Sequence, residues 1–319
     1  MKVIHKIKSI VRWIRSFDDR LQKIQQALGR IEGRQLNATP PAKFNDYEYQ
    51  VYSQWGEDGL IQYIINSISI DRSIFVEFGV ERNTECNTRF LLLNNNWSGL
   101  VIDGSEQNIE YIKNDPIYWR HNLKAECAFI TKNNINELIR KNGISGDIGL
   151  LSVDIDGNDY WIWEAINVVN PRIVICEYNS LWGPELAVTT PYDPSFVRTK
   201  AHYSNLYYGA SIKAFSELAT SKGYSLIGSN KAGNNIFFVR NDLIGNFEVV
   251  DPQKAWIQSQ FKEARGESGE LTQLEFIERR DQLSELKLIN LADGKDYKVS
   301  ELYDKNFKKD ALNKHFSSD

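Results

Sequence analysis

The side chains able to do chemistry in this chain are mostly carboxylates, and they fall just after apolar runs. Glu77 interrupts the run Ile74-Phe-Val-Glu-Phe78, and Gly79 follows it. Such a run suits a strand buried in a parallel sheet. A glycine there lets the backbone turn sharply and lets a ligand come close. Asp103 ends the next run, Gly99 to Ile102, and lies 24 residues beyond Gly79. An acid about 20 residues past the turn is placed to accept hydrogen bonds from ribose hydroxyls. Asp154-Ile-Asp156-Gly-Asn-Asp159 follows Gly149 to Val153, and Glu177-Tyr-Asn179 follows Arg172 to Cys176. Oxygen ligands alone suit Mg²⁺ or Ca²⁺, with Asp154, Asp156 and Glu177 as the set. The segment starts like an EF-hand loop, but its twelfth position is Ala165. The alternative is a strand end that caps the next helix through Asn158 or Asp159. His202, in Ala201-His-Tyr-Ser-Asn-Leu-Tyr-Tyr-Gly209, is either a base or a structural loop histidine.

These residues need a scaffold, and the pattern supplies one. Thr84 to Asn95 reads as a helix on its apolar positions Cys86, Phe90, Leu91 and Leu93. Further helices are predicted at Gln107 to Asn114 (stopped by Pro116), Asn134 to Lys141, Tyr160 to Ile166 and Ser211 to Lys222. Lys124 to Phe129 adds a strand. Strands alternating with helices imply a parallel sheet covered on both faces. Tyr224 to Gly228 and Asn235 to Arg240 flank a short turn and read as an antiparallel hairpin. A helix from Ser53 to about Ile68 precedes the first strand, with Ser53 as its cap and Glu57 and Asp58 at its positive end. Leu181 to Tyr208 is aromatic, proline-containing and irregular, as expected of a lid or binding element.

The chain has 319 residues and a net charge of −4, which argues against nucleic acid as the main partner. Cys86, Cys127 and Cys176 are odd in number and far apart, so they read as reduced and buried in a cytoplasmic protein. No apolar run reaches the roughly 18 residues that span a bilayer. Residues 1–36 form a separate amphipathic helix with nine Lys or Arg against three acids, a charge of +6. Its stripe is Ile4, Ile7, Val11, Ile14, Phe17, Leu21, Ile24, Leu28 and Ile31, and the step from Ile14 to Phe17 breaks a strict heptad like a stammer. Self-association as a homo-oligomer, peripheral contact at the inner membrane surface, and packing on its own domain all stay open. Residues 37–43 are a linker, 44–245 the α/β domain, and 250–319 a charged extension. In the extension, helices are expected over Gln253 to Arg265 and Leu271 to Leu286, then two short strands around Asp293-Gly294.

The motifs Ser53-Gln-Trp-Gly-Glu-Asp-Gly, Val76-Glu-Phe-Gly79, Gly99-Leu-Val-Ile-Asp-Gly104, Leu150-Leu-Ser-Val-Asp-Ile-Asp-Gly-Asn-Asp159 and Ile175-Cys-Glu-Tyr-Asn179 occur in this order. Together, over about residues 47–242, they resemble the FkbM-like class I methyltransferases. The resemblance implies a Rossmann-like α/β fold of seven mostly parallel strands ending in an antiparallel hairpin. It implies S-adenosylmethionine as cofactor and methyl transfer to oxygen, often on a saccharide or glycosylated metabolite. Family members commonly carry a second glycine where this chain has Val80-Glu-Arg-Asn83, and Asn83 can supply a left-handed turn instead. By the same resemblance Glu77 and Gly79 line the methionine end, Asp103 holds the ribose, and Ala128 and Phe129 meet the adenine. Asp154 would face the sulfonium or the acceptor. Candidate bases are Asp154, Asp156, Asp159 and His202. Acids converging at the strand ends call for a positive ligand or a metal. A metal-dependent glycosyltransferase using Asp154-Ile-Asp156, or a non-catalytic scaffold, are the competing readings. Tyr192, His202, Tyr203, Tyr207 and Tyr208 suit a flat, hydroxylated small-molecule or glycan substrate.

Overall fold

The computed structural model describes residues 2–41, 43–260 and 263–303. Helix α1 (Lys2–Ala38) is unbroken, and its second half rests on the body. Two glycines allow this contact. A Cβ on Gly29 would lie 2.4 Å from Val51 Cγ2, and one on Gly33 would lie 2.9 Å from the Tyr49 hydroxyl. Gln26 Nε2 also donates to Tyr52 Oη at 2.8 Å. The segment expected to be separate therefore touches the domain. It does so with its small-residue side and not with its apolar stripe.

Helix α2 (Glu57–Ser67) starts after Gly56, which is left-handed, so Ser53 is not the N-cap. Ser53 still serves the helix start, because its Oγ accepts from the Asp58 N–H at 3.0 Å. In return Asp58 Oδ2 accepts from the Val51, Tyr52 and Ser53 amides. Strand β1 (Ile74–Phe78) leads to α3 (Arg89–Asn94), which begins later than the pattern predicts. Glu81 and Asn83 hold positive φ, and the Asn87 and Thr88 amides bond to Glu77 rather than to a preceding helical turn.

Strand β2 (Ser98–Asp103) and α4 (Glu106–Asn114) follow. Pro116 then opens α5 (Pro116–Arg120) with Asp115 as its cap, where the sequence suggests only a stop. Next come β3 (Leu123–Cys127), α6 (Ile135–Lys141), β4 (Gly146–Val153), α7 (Asp159–Ala165) and β5 (Val169–Glu177). Beyond β5 lie β6 (Val188–Thr189), α8 (Arg198–Ala201), α9 (Ile212–Lys222), β7 (Tyr224–Ser229) and β8 (Asn235–Arg240).

The main sheet has seven strands in the order β3-β2-β1-β4-β5-β8-β7, with β8 antiparallel to both neighbours and the other pairings parallel. This is the Rossmann-like arrangement expected from the sequence, seven mostly parallel strands ending in an antiparallel hairpin. One face carries Leu151, Val153, Val174 and Phe238, covered through α7 and α9 by Trp163 and Phe215. The other carries Phe75, Val101, Leu150 and Phe237, covered through α2 and α3 by Ile61 and Leu92. Trp97, Trp163 and Trp182 are core residues, whereas Trp55 and Trp119 are exposed. Cys127 is also exposed at the end of edge strand β3, against the expectation that all three cysteines are buried.

The extension departs most from its pattern. The predicted helices shrink to α10 (Pro252–Ala255) and α11 (Phe276–Asp281), followed by β9 (Lys287–Asn290), β10 (Lys295–Lys298) and α12 (Val299–Tyr303). Between α10 and α11 the backbone forms a short internal turn (Gly266 N–H to the Glu270 carbonyl, Thr272 N–H to the Ala264 carbonyl) and otherwise bonds to the body. Ile257 N–H donates to Tyr178 Oη, Ser259 N–H to Ser180 Oγ, and Arg265 N–H to the Ser204 carbonyl. Strand β9 pairs with both β10 and β6, giving a second sheet that ties the extension to the 181–208 segment.

Gly59→Ala should lower unfolding free energy by about 1–3 kcal/mol in urea titration. Its Cβ would stand 2.1 Å from the Tyr47 carbonyl oxygen, and backbone cannot rotate aside. An unchanged midpoint would show that the 47–49 strap does not press on α2.

Candidate functional site

The strand order reverses between β1 and β4, and ligands of open α/β sheets sit at such a switch, outside the carboxyl ends. Gly79 makes this end close-packed. Its φ is +68°, and a Cβ there would fall 1.8 Å from the Asp154 carbonyl oxygen. A cleft of about 630 Å³, open to solvent, lies over the turn. Gly79 and Glu81 line it after β1, Asp103 and Gly104 after β2, and Ala128, Phe129 and Ile130 after β3. Ile155, Asp156 and Asn158 close it after β4, and Phe196 comes from the long loop. The structure thus brings Gly79, Asp103, Ala128, Phe129 and Asp156 to one cavity. Glu77, Asp154, Glu177 and His202 are not among its lining residues.

Asp103 is held rigidly. Its Oδ1 accepts from Ser105 N–H at 2.8 Å and Asn108 Nδ2 at 3.1 Å, and its Oδ2 accepts from Glu81 N–H at 2.8 Å. A carboxylate offers about four acceptor positions, so one stays open. Ala128 spends its N–H on the Asp103 carbonyl and offers only its own carbonyl. Phe129 is half exposed beside Gly104, a flat apolar platform at the cleft. Glu77 works behind the site. It is buried and accepts from the Asn87 and Thr88 amides and from Thr88 Oγ1, which fixes the loop after Gly79. Burial pushes its carboxyl up to about 7.

The acidic corner after β4 and β5 has its own counter-ion. Arg198 Nη1 meets Asp156 Oδ1 at 2.7 Å, while its Nε donates to the Asn205 carbonyl and its guanidinium lies 4.0 Å over the Tyr208 ring. Burial raises the Asp154 carboxyl well above its ordinary range, the charges of Asp156 and Asp159 add to this, and Arg198 opposes it. Glu177 is raised in the same way, and its buried Oε2 has no hydrogen-bond partner. Asp154 accepts no hydrogen bond among the described residues. Asp159 is structural, for its two oxygens accept from the Ile155 and Gly157 amides, each at 2.8 Å.

Two expectations change here. Among the described residues, no group of three or more His, Cys, Asp or Glu side chains is placed to hold a metal. The Mg²⁺ set of Asp154, Asp156 and Glu177 is not assembled, because Arg198 engages Asp156 and brings the positive charge itself. His202 does not reach the cleft: its Nδ1 pairs with Ser204 Oγ at 2.7 Å, its ring packs on Tyr203, and burial lowers its basicity.

Arg198, Phe196 and Asn158 are absent from the sequence-based candidates. The demand of the clustered acids for a cation was the signal for Arg198, but the loop carrying it has no periodicity to place it. Phe196 lies flat on Gly157, where a Cβ would come within 2.2 Å of the ring. Asn158 Nδ2 donates to the Asp193 carbonyl, and its buried Oδ1 has no partner.

No family model matches the chain, and no curated protein matches it. Some solved structures are similar to it over part of its length. The N-terminal domain of EvdMO1 with SAH bound is 10% identical with a TM-score of 0.38, covering 66% of this chain and 95% of that one. The O-methyltransferase from Bacillus cereus in complex with SAH is 15% identical with a TM-score of 0.39, covering 66% and 90%. An S-adenosylmethionine-dependent methyltransferase from Clostridium acetobutylicum is 11% identical with a TM-score of 0.38, covering 59% and 92%. At these values no residue role carries over from them. Among the described residues no helix is long and apolar enough to cross a membrane.

Arg198→Gln should destabilise the protein by about 1–3 kcal/mol at pH 8, since it strands buried carboxylates. Asp154 and Glu177 have raised pKa values, so they take up protons as pH falls and need the cation less. The deficit in urea midpoint should therefore shrink toward pH 5. A deficit independent of pH would mean that Arg198 acts by packing on Tyr208 alone.

Proposed function

We propose that this protein is an S-adenosylmethionine-dependent O-methyltransferase of the FkbM-like kind, acting on a hydroxyl of a saccharide or glycosylated metabolite. One observation carries the reading. The cleft at the switch point joins a glycine turn with no room for a Cβ, an oriented carboxylate with an open acceptor position, and a half-exposed aromatic platform. S-adenosylmethionine, when bound, supplies an activated methyl group on a sulfonium.

The residues present fit that group. Gly79 lets the loop after β4 close against the turn that lines the cleft, Asp103 accepts from ribose hydroxyls, and Phe129 offers its face to adenine. Glu81, Asp103 and Asp156 make the walls acidic, which suits an ammonium and a sulfonium and repels a pyrophosphate. Catalysis then depends on holding the acceptor hydroxyl in line with the methyl. A hydroxyl nucleophile must also lose its proton. We assign that role to Asp154: its backbone carbonyl packs on the Gly79 turn that lines the cleft, its carboxylate accepts no hydrogen bond among the described residues, and burial keeps it basic. Glu177 shares its field and Arg198 limits the rise, so the pair titrates together. Tyr192 accepts from Lys132 N–H through its hydroxyl and packs edge-on against Trp161. The proposed setting is cytoplasmic.

Asp103→Ala should weaken S-adenosylhomocysteine binding in calorimetry by about 1.5–3 kcal/mol with the fold intact. Unchanged affinity would remove Asp103 from the site, and binding of a UDP-sugar instead would favour a glycosyltransferase.

Labelled methyl transfer to glycans, lipid-linked sugars and cell extract tests the reaction. The wild-type rate should fall as pH drops through the raised ionisation of the Asp154–Glu177 pair, because the base must be unprotonated. Asp154→Asn should lose about 10²–10⁴-fold in kcat and flatten that limb. A variant with full activity and an unaltered pH profile would assign proton removal elsewhere.

A further inference from the structure

The seam of α1 is more regular than it first reads. Counting Ile10 in place of Val11 removes the break at Ile14 to Phe17. Ile7, Ile14, Leu21 and Leu28 then occupy heptad position a, and Ile10, Phe17, Ile24 and Ile31 occupy d, without interruption. The helix that carries them is continuous from Lys2 to Ala38. Where its side chains are described, this seam faces solvent: Phe17, Leu21, Ile24, Leu28 and Ile31 are 45 to 58% exposed. The opposite side is the one already in use. Gln26, Gly29 and Gly33, at positions f, b and f, sit against the body. The helix is therefore pinned by its back, with its apolar seam turned outward.

We infer that α1 joins copies of this chain into a parallel bundle of three or four. The flanking positions choose the orientation. Position g carries Lys6, Trp13, Arg20, Ala27 and Arg34, and position e carries Ile4, Val11, Asp18, Gln25 and Glu32. In a parallel, in-register assembly each g residue faces the neighbour's e residue five positions on, so Lys6 meets Val11, Arg20 meets Gln25, and no like charges oppose. An antiparallel pair would set g against g, and so basic residue against basic residue. The seam chooses the number. Ile at both a and d, and Leu at a with Ile at d, favour three or four strands over two. The first pattern holds at Ile7 and Ile10, and the second at Leu21 with Ile24 and at Leu28 with Ile31. Trp13 at g, 66% exposed, widens the apolar face beyond a two-helix seam.

The test is sedimentation equilibrium of the full chain at micromolar concentration, in reductant and without lipid. The expected mass is three or four times the 36.8 kDa chain. Leu21→Asp with Leu28→Asp should give the single-chain mass and keep the wild-type unfolding midpoint of the body, because both residues are exposed. Lys23→Asp, at outer position c, should leave the mass unchanged. Ile24→Cys should cross-link to its own copy under mild oxidation, beyond a wild-type control that accounts for exposed Cys127. A single-chain or two-chain mass for the wild type, or assembly that appears only on anionic vesicles, would overturn the inference. So would a double Asp variant that stays assembled, or an Ile24→Cys variant that does not cross-link.

Discussion

Carboxylates crowd the carboxyl ends of the central strands, and each must be satisfied away from bulk water. An ionised carboxylate in low dielectric is costly unless donors or a counter-ion meet it. Glu77, Asp103 and Asp159 are met by backbone amides of the loops that follow β1, β2 and β4. In satisfying the acids those amides fix the loops, and the fixed loops are the walls of the cleft. Asp58 does the same for the strap before α2 with three amides on one oxygen. Asp154 and Glu177 are the exceptions: no donor among the described residues meets the Asp154 carboxylate, and the buried Oε2 of Glu177 has no partner.

The cation that moderates this corner arrives from far along the chain, and its placement depends on the C-terminal extension. Arg198 is set by the Asn205 carbonyl and by Tyr208, both in the long loop after β5. That loop is held in turn by β6 pairing with β9 and by the Tyr207 hydroxyl on the Lys287 carbonyl. Tyr303 Oη reaches the Trp182 carbonyl at 2.6 Å from the far end of the second sheet. The extension thus bears on the acidic corner without contributing a side chain to the lining of the cleft. Its interior apolar residues, Leu283, Leu288, Val299 and Leu302, form one cluster with Leu181, Trp182 and Val188 of the loop.

Local sequence determined the parts of this protein that repeat along the chain. Apolar runs ending in Phe78, Asp103, Val153 and Glu177, and the glycine after the first, were enough to place the central strands. The same spacing put Gly79, Asp103, Phe129 and Asp156 at one edge, because every parallel strand delivers its carboxyl end to the same side of the sheet. Asn83 in a left-handed turn was legible too, as few other residues take that conformation easily. Tertiary structure alone decided what depends on distant partners. Gln253 to Arg265 looked helical by pattern, yet the Ile257, Ser259 and Arg265 amides bond to Tyr178, Ser180 and Ser204, and no local periodicity records such partners. Whether acids bind a metal or an arginine depends on which cation a loop some forty residues away brings near, and spacing along one strand end carries no trace of it. The stripe on α1 showed an amphipathic helix, but only the packing of Gly29 and Gly33 on Val51 and Tyr49 fixed which side stays open.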